Sequence, residues 1–516
     1  MRSRCVCAVA LLGIALGLAR FAAADPLTVK TAQGKVHGKP INDGKVRAFL
    51  GLPYAAPPVG DLRWRPPQTA EKWKGARDAT RYGARCMQVP FPDMIFQDAG
   101  MSEDCLYLNV FTPANAKNNS KLPVMFWIHG GGYSSGSASE PRHNGDFLPM
   151  KGVVLVTINY RLGVFGFLDT EELMKEGDGA AGNYGLMDMI AALHWVQGNI
   201  AGFGGDPSDV TIFGESAGSI AVSTLMASPL AQGLFTKAIG ESGSALGDEF
   251  GGRTVAQVAA VDTDWAQSLG TKSLAELRAM QPETILEDSN KNRAPKFRPV
   301  IDGKVLTEPV ADTYAEGKQA HIPLLAGWNR DEGSFAAARG MTAAQWKSET
   351  EKRFDDRAAE FLELYPGGND EEALRSSIDL AGDTFIAFDT WKWIEAHVKT
   401  GDASVYRYHF ELAAPPSKFH DAFAFHSDDI EYVFGTLDTR PGTVWRPEDR
   451  KLSEEMMDYW TNFAKTGDPN GPGLSQWPRY DKTSEVLILD RETHAAPDTK
   501  RARYEFLMKG MPATEH

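Results

Sequence analysis

Ser216 stands in Gly214-Glu-Ser-Ala-Gly218, directly after the apolar run Val210–Phe213. A serine with glycine two residues away on each side fits a nucleophile held at the tip of a strand–turn–helix, where its hydroxyl is forced into the open. The chemistry this points to is acyl transfer, in which a hydroxyl attacks a carbonyl carbon. A hydroxyl is a weak nucleophile at neutral pH. It needs a base within hydrogen-bond reach, a group that fixes the tautomer of that base, and N–H donors for the oxyanion that forms. A helix expected over Ala217–Met226 would aim its amino-terminal N–H groups at that developing charge.

Two other stretches resemble this one. Gly132-Tyr-Ser-Ser-Gly136 fits the same spacing, but residues 135–146 are rich in Ser, Gly, Pro and Asn and read as loop. Ser134 therefore has no helix behind it and ranks second. Gly240-Glu-Ser-Gly-Ser244 lacks the last glycine.

The surrounding elements are those such a serine needs. Pro123–Ile128 and Val153–Asn159 are apolar, β-branched runs that read as buried strands. Leu186, Ile190, Leu193, Val196 and Ile200 recur at three or four residues and predict an amphipathic helix. Further strands are expected at Leu106–Phe111, Lys237–Gly240, Ile322–Trp328 and Val405–Leu412, with Val486–Leu489 as a last edge strand. Short alternating segments between Leu27 and Leu52 suggest small antiparallel strands. Long helical stretches are expected at Thr254–Lys291, Thr342–Leu364, Asp370–Lys399, Leu452–Lys465 and Ala502–Met508. Strands alternating with helices imply a large, mostly parallel sheet covered on both faces. No repeat or linker divides the chain, so residues 25–516 read as one α/β domain.

Composition narrows the function. The 516 residues are 42% hydrophobic and 24% charged, with a formal net charge of −14. An acidic chain without clustered Lys and Arg is a poor partner for nucleic acid. A basic start (Met1–Arg4), a short apolar core (Cys5–Ala19) and Ala22–Ala24 describe a secretory signal peptide over residues 1–24. That core is too short to span a bilayer, and no other run is long enough, so no stable membrane anchor is expected. Beyond the leader only Cys86 and Cys105 remain. In an exported chain they favour one disulfide, worth about 3 kcal/mol on the chain-entropy account. They lack partners at metal-ligand spacing, and no metal or organic cofactor is expected. Asn118-Asn-Ser120 is a glycosylation sequon.

Several stretches, taken in order, carry a wider resemblance. FLGLPYAAPPVGDLRWRPP, SEDCLYLNVF, WIHGGGY, NYRLGVFGFL, GNYGLMDMIAALHWV, FGGDP and GESAG follow one another from Phe49 to Gly218. The sequence resembles the type-B carboxylesterases, the cholinesterase-like branch of the α/β-hydrolases, over nearly the whole chain past the leader. The resemblance implies an α/β-hydrolase fold with Ser216 as nucleophile, His426 as base and Glu332 as acid. It implies oxyanion donors at the N–H groups of Gly131, Gly132 and Ala217, and a disulfide between Cys86 and Cys105. Spacing alone does not separate His426 from the other histidines, His420 in particular, nor Glu332 from Asp331. His129 is expected to orient the glycine-rich loop, and Glu215 to act as support through buried hydrogen bonds.

The chain also departs from the cholinesterases. Where those carry a cation-binding tryptophan, this chain has Ile95 and Phe96, which speaks against choline esters. The residues that narrow the cholinesterase acyl pocket fall near Arg293–Pro295, which suggests a wider choice of acyl group. Phe91, Phe96, Tyr133 and Phe335 are candidates either for an apolar gorge or for core. The resulting expectation is an exported serine carboxylesterase acting on small-molecule esters. A lipase or detoxifying esterase of the same fold is the alternative, and a non-catalytic binding protein a more distant one.

Overall fold

A computed structural model describes residues 25–291, 294–416 and 422–510. The expected leader (1–24), Arg293 and His420 lie outside the described residues. Fourteen strands are described, in chain order β1 (Thr28–Lys30), β2 (Lys35–His37), β3 (Lys39–Ile41), β4 (Val46–Pro53), β5 (Ala76–Asp78), β6 (Tyr107–Pro113), β7 (Leu122–Ile128), β8 (Val154–Ile158), β9 (Gly205–Glu215), β10 (Lys237–Glu241), β11 (Leu324–Asn329), β12 (Val405–Phe410), β13 (Glu485–Leu489) and β14 (His494–Pro497). Eleven of them form one sheet in the order β3-β4-β6-β8-β7-β9-β10-β11-β12-β13-β14. The run from β8 to β13 is parallel, while β3, β4, β6 and β14 join antiparallel at the two ends. A second, small sheet pairs β1 antiparallel with β2 and adds β5 parallel to β2.

The parallel strands are apolar on both faces because both faces are covered. Side chains alternate across the sheet. In β7, Val124, Phe126 and Ile128 enter one core, while Met125 and Trp127 enter the other. The first core is capped by helices Tyr184–Asn199, Ala217–Ala227 and Phe388–Thr400, the second mainly by Pro447–Thr466. β9 lies between β7 and β10, deep inside the sheet, so the turn that ends it rests on well-packed neighbours.

One expectation requires correction. The segment at Val486–Leu489 is not the edge, because β14 pairs outside it. His494–Pro497 escaped notice because it is short and ends in proline, which only an edge position tolerates. The stretch Asp370–Lys399 is helical, as expected. It runs as Asp370–Gly382, a π-helical turn at Asp383–Ala387, and Phe388–Thr400.

Cys86 and Cys105 form a disulfide. The loop it closes is laced to the glycine-rich segment after β7. The side-chain amide of Gln88 donates to Gly136 O (2.8 Å) and accepts from Gly136 N (2.9 Å), and Ser135 Oγ donates to Val89 O (2.6 Å).

Candidate active site

The turn after β9 puts Ser216 at φ 55° and ψ −121°, in the left-handed half of backbone space that a serine normally avoids. Such a conformation costs about 1–3 kcal/mol and is held only by its surroundings. The surroundings here are tight. A Cβ on Gly218 would lie 2.0 Å from Ile128 O, and one on Gly214 would lie 2.5 Å from the same atom. Only glycine lets the helix start this close to β7. Ser216 N donates to Glu241 O (2.9 Å), which ties the turn to β10.

His426 joins Ser216 to Glu332. Ser216 Oγ lies 2.9 Å from Nε2 of His426, and Nδ1 of His426 lies 2.6 Å from Glu332 Oε2. With Nδ1–H donating to the carboxylate, Nε2 is left free to accept the serine proton. The other oxygen of Glu332 accepts from Ser242 Oγ (2.5 Å) and from Asn329 N (2.8 Å), so the carboxylate is fixed at both ends. Asp331, the alternative that spacing left open, points elsewhere. It is fully buried, pairs with Arg330 and Arg375, and accepts from Ala424 N (2.9 Å). It thereby pins the loop that carries His426. Asn329 Nδ2 donates to Phe425 O (2.8 Å) and Arg142 Nη2 to Ser427 O (2.6 Å), which holds the backbone on either side of the imidazole.

The glycine-rich loop lies against the serine. A Cβ on Gly130 would come within 3.1 Å of Ser216 Cβ. Gly131 and Gly132 have φ of 100° and 62°, which bulkier residues rarely adopt. Among the described residues, the N–H groups of Gly131, Gly132 and Ala217 donate to no protein acceptor. His129 is buried, stacks on Tyr160 at 4.5 Å and donates from Nδ1 to Gly130 O (2.8 Å). Burial pushes its pKa down to about 4, so it stays neutral. Its contacts are those of a loop support, as expected.

Glu215 behaves differently from the expectation. Its Oε1 has no hydrogen-bond partner among the described residues and lies 3.3 Å from His426 Nε2. Burial opposes charge on His426, but the carboxylates of Glu215 and then Glu332 outweigh it and push the imidazole up to about 9. Burial also pushes the Glu215 carboxyl up, to about 8, with His426 pulling it down. Each group's charge thus bears on the other's titration. When Glu215 holds its proton, its support for the imidazolium is gone and the base is freed more easily.

The site thus brings together Ser216, Glu332, His426 and the Gly131–Gly132–Ala217 amides. Ser134 sits in the loop, its Oγ donating to Gly131 O (3.2 Å). Of the gorge candidates, Tyr133 is wholly buried against Phe167 and Phe250, Phe96 lies under the Arg85 guanidinium at 4.5 Å, and Phe91 and Phe335 are exposed. The sequence reading missed Asn329, Arg142 and Ser242 as supports. For Ser242 a signal exists. Gly240-Glu-Ser242 repeats Gly214-Glu-Ser216, and the register pairs Gly214 with Gly240 and Glu215 with Glu241. The two serines end neighbouring strands, and both have positive φ (55° and 53°).

A parallel-cored sheet with a serine on a strained strand-to-helix turn at its carboxyl end defines an α/β-hydrolase. Residues 25–507 match the carboxylesterase family, and the chain belongs to it. It is 36% identical to the fumonisin B1 esterase of Sphingopyxis macrogoltabida over 494 residues, covering 90% of this chain and 87% of that protein. It is 36% identical over 537 residues to carboxylesterase 1D of Rattus norvegicus, covering 93% of each. A solved PNB esterase superposes with a TM-score of 0.78 at 34% identity, over 95% of this chain and 100% of that one. The protein is a carboxylic ester hydrolase, with small-molecule esters as its substrates.

Proposed function

We propose that ester hydrolysis here runs through an acyl-enzyme on Ser216. The observation that carries this reading is the imidazole of His426, bonded on one side to Ser216 Oγ and on the other to Glu332. His426 Nε2 takes the serine proton as Oγ bonds to the ester carbonyl carbon. The amides of Gly131, Gly132 and Ala217 receive the oxyanion. The tetrahedral adduct collapses, the bond to the alcohol oxygen breaks, and the imidazolium returns its proton to that oxygen. Water then repeats the sequence on the acyl-enzyme, with His426 again as base. Glu332 holds the tautomer and stabilises the imidazolium without itself taking the proton.

The chain is read as one catalytic domain over residues 25–516, exported after removal of residues 1–24. The disulfide supports an oxidising compartment. No helix among the described residues is long and apolar enough to cross a membrane.

The test is hydrolysis of nitrophenyl esters from acetyl to palmitoyl, with Ser216→Ala alongside. Wild type should favour short or medium acyl chains, and the variant should lose at least about 10⁴-fold in kcat. A preference for palmitoyl would mean a lipase. Equal activity in both proteins would remove Ser216 as nucleophile and turn attention to Ser134.

A further inference from the structure

The two glycine amides offered to the oxyanion each point away from a carbonyl that is held in place. In a trans peptide the N–H and the preceding C=O lie on opposite sides of one plane. The direction of Gly131 N–H is therefore fixed through Gly130 O, and that of Gly132 N–H through Gly131 O. Gly130 O accepts from His129 Nδ1 (2.8 Å). Gly131 O accepts from the amides of Ser134 and Ser135, each at 3.0 Å, and from Ser134 Oγ (3.2 Å).

Gly136 packs against both anchors. A Cβ on Gly136 would lie 2.3 Å from His129 Nδ1 and 2.6 Å from Gly130 O, so its backbone presses on the bond that holds the first carbonyl. On the other flank, a Cβ on Gly131 would lie 2.2 Å from Ser135 O and 3.4 Å from Gly136 N. Ser135 and Gly136 are in turn gripped by the loop that the disulfide closes. The side-chain amide of Gln88 donates to Gly136 O (2.8 Å), accepts from Gly136 N (2.9 Å) and also donates to Cys86 O (3.0 Å), beside the disulfide. Ser135 Oγ donates to Val89 O (2.6 Å). Gln88 is 1% exposed, so a side chain without its amide would leave the N–H and C=O of Gly136 unpaired in the interior.

We propose that Gln88 is a positioning residue for ester hydrolysis: its amide seats Gly136 and thereby aims the Gly131 and Gly132 N–H groups at the oxyanion. This inference rests on the reading that these amides receive the oxyanion formed on attack by Ser216. The bonds that Gln88 makes run to backbone, and its effect reaches the chemistry through the glycine-rich loop. An oxyanion donor acts on charge that exists in the tetrahedral adduct and not in the bound ester. A loop that shifts still binds ester but no longer meets that charge squarely. The loss should therefore appear equally in kcat and in kcat/KM, with KM little changed. The disulfide gains a use beyond constraining the unfolded chain, since it fixes the loop from which Gln88 reaches across.

The experiment measures kcat and KM for nitrophenyl butyrate and the dissociation constant of an alkyl trifluoromethyl ketone, whose adduct with Ser216 Oγ carries the same oxyanion. The proteins are wild type, Gln88→Met, Gln88→Glu and Ser216→Ala, with active sites counted by a phosphonate that labels Ser216. Gln88→Met keeps the volume and removes the bonds. Per active site it should lose at least about tenfold in kcat, keep KM within about twofold and bind the ketone at least about tenfold more weakly. A lower melting point or fewer active sites, with kcat and ketone affinity those of wild type, would make Gln88 a strut of the fold alone and overturn the inference. A rise in KM without a fall in kcat would overturn it as well. In Gln88→Glu a protonated carboxyl can still donate to Gly136 O, and an ionised one cannot. Its kcat relative to wild type should fall between about pH 6 and pH 9, and this variant carries the test should Gln88→Met fail to fold. A ratio constant with pH counts against the inference. If the ketone binds Ser216→Ala as tightly as wild type, the acyl-enzyme reading fails and takes this inference with it.

Discussion

Glu215 governs how the site titrates. Its carboxylate faces the same nitrogen of His426 that receives the serine proton, 3.3 Å away, and it offers the imidazolium a second counter-charge beside Glu332. kcat/KM should therefore fall on the acid side with an apparent pKa at or above the ordinary imidazole value of 6.5. Glu215→Gln removes the charge and keeps the shape, and should lower that limb by about one unit or more. A pH–rate profile of both proteins checks this, and a wild-type profile flat down to pH 4 would argue against His426 as base. At this scale the motifs point to Ser216, Glu332 and His426, while Glu215 is the residue whose surroundings the sequence does not give. A carboxylate next in line to the nucleophile reads as a hydrogen-bonded support. Only the folded chain shows that, among the described residues, no hydrogen bond reaches its Oε1 and that the imidazole lies 3.3 Å from it.

The element that matters most is the pair β9–β10 with the helix Ala217–Ala227. Parallel register puts Gly-Glu-Ser216 beside Gly-Glu-Ser242, one serine bonded to His426 and the other to Glu332. The approach of that helix to β7 is set by Gly214 and Gly218. Gly218→Ala would drive a methyl group to 2.0 Å from Ile128 O. It should cost about 2–3 kcal/mol of stability, as overpacking does, and more than about tenfold in activity, read by denaturant melts and ester assays on one preparation. The strand–turn–helix was legible because glycines, an apolar strand and a helical period coincide in a few residues. The π turn at Asp383–Ala387 was not, since no residue there breaks a helical pattern and the extra residue is stabilised by tertiary contacts of Asp383 and Gly382.

Across the whole molecule, burial sets a pH limit on stability. Burial pushes the carboxyls of Asp169 and Glu215 up to about 8 and those of Glu140, Asp262 and Asp428 up to about 7. Each favours the fold while protonated, and that contribution is lost as pH rises toward the folded value. His426 acts in the same direction. Its folded value of about 9 lies above the ordinary 6.5, so its contribution is complete below 6.5 and is lost as pH rises through 9. The thermal midpoint should therefore drop by about 2–5 °C between pH 6.5 and pH 8.5, as calorimetry at the two pH values would show. A midpoint that rises over this window would contradict these assignments.

Local patterns determined much of this protein before folding was considered. Apolar runs and helical periods specified a parallel-cored α/β chain, and a glycine-flanked serine after a strand pointed to acyl chemistry, because these signals lie within a few residues of one another. The choice of Glu332 over Asp331, and of His426 over its rivals, came from family motifs, since 94 residues separate acid from base and 210 separate base from serine. What only the tertiary structure decided is the meeting of distant side chains. Asp331 turns away to pin the histidine loop, Ser242 and Asn329 hold the Glu332 carboxylate, and the Phe385 ring meets the His426 imidazole edge-on from a turn with no mark in the sequence. Such contacts depend on strand register and helix approach, which follow from packing of the whole core rather than from any one segment.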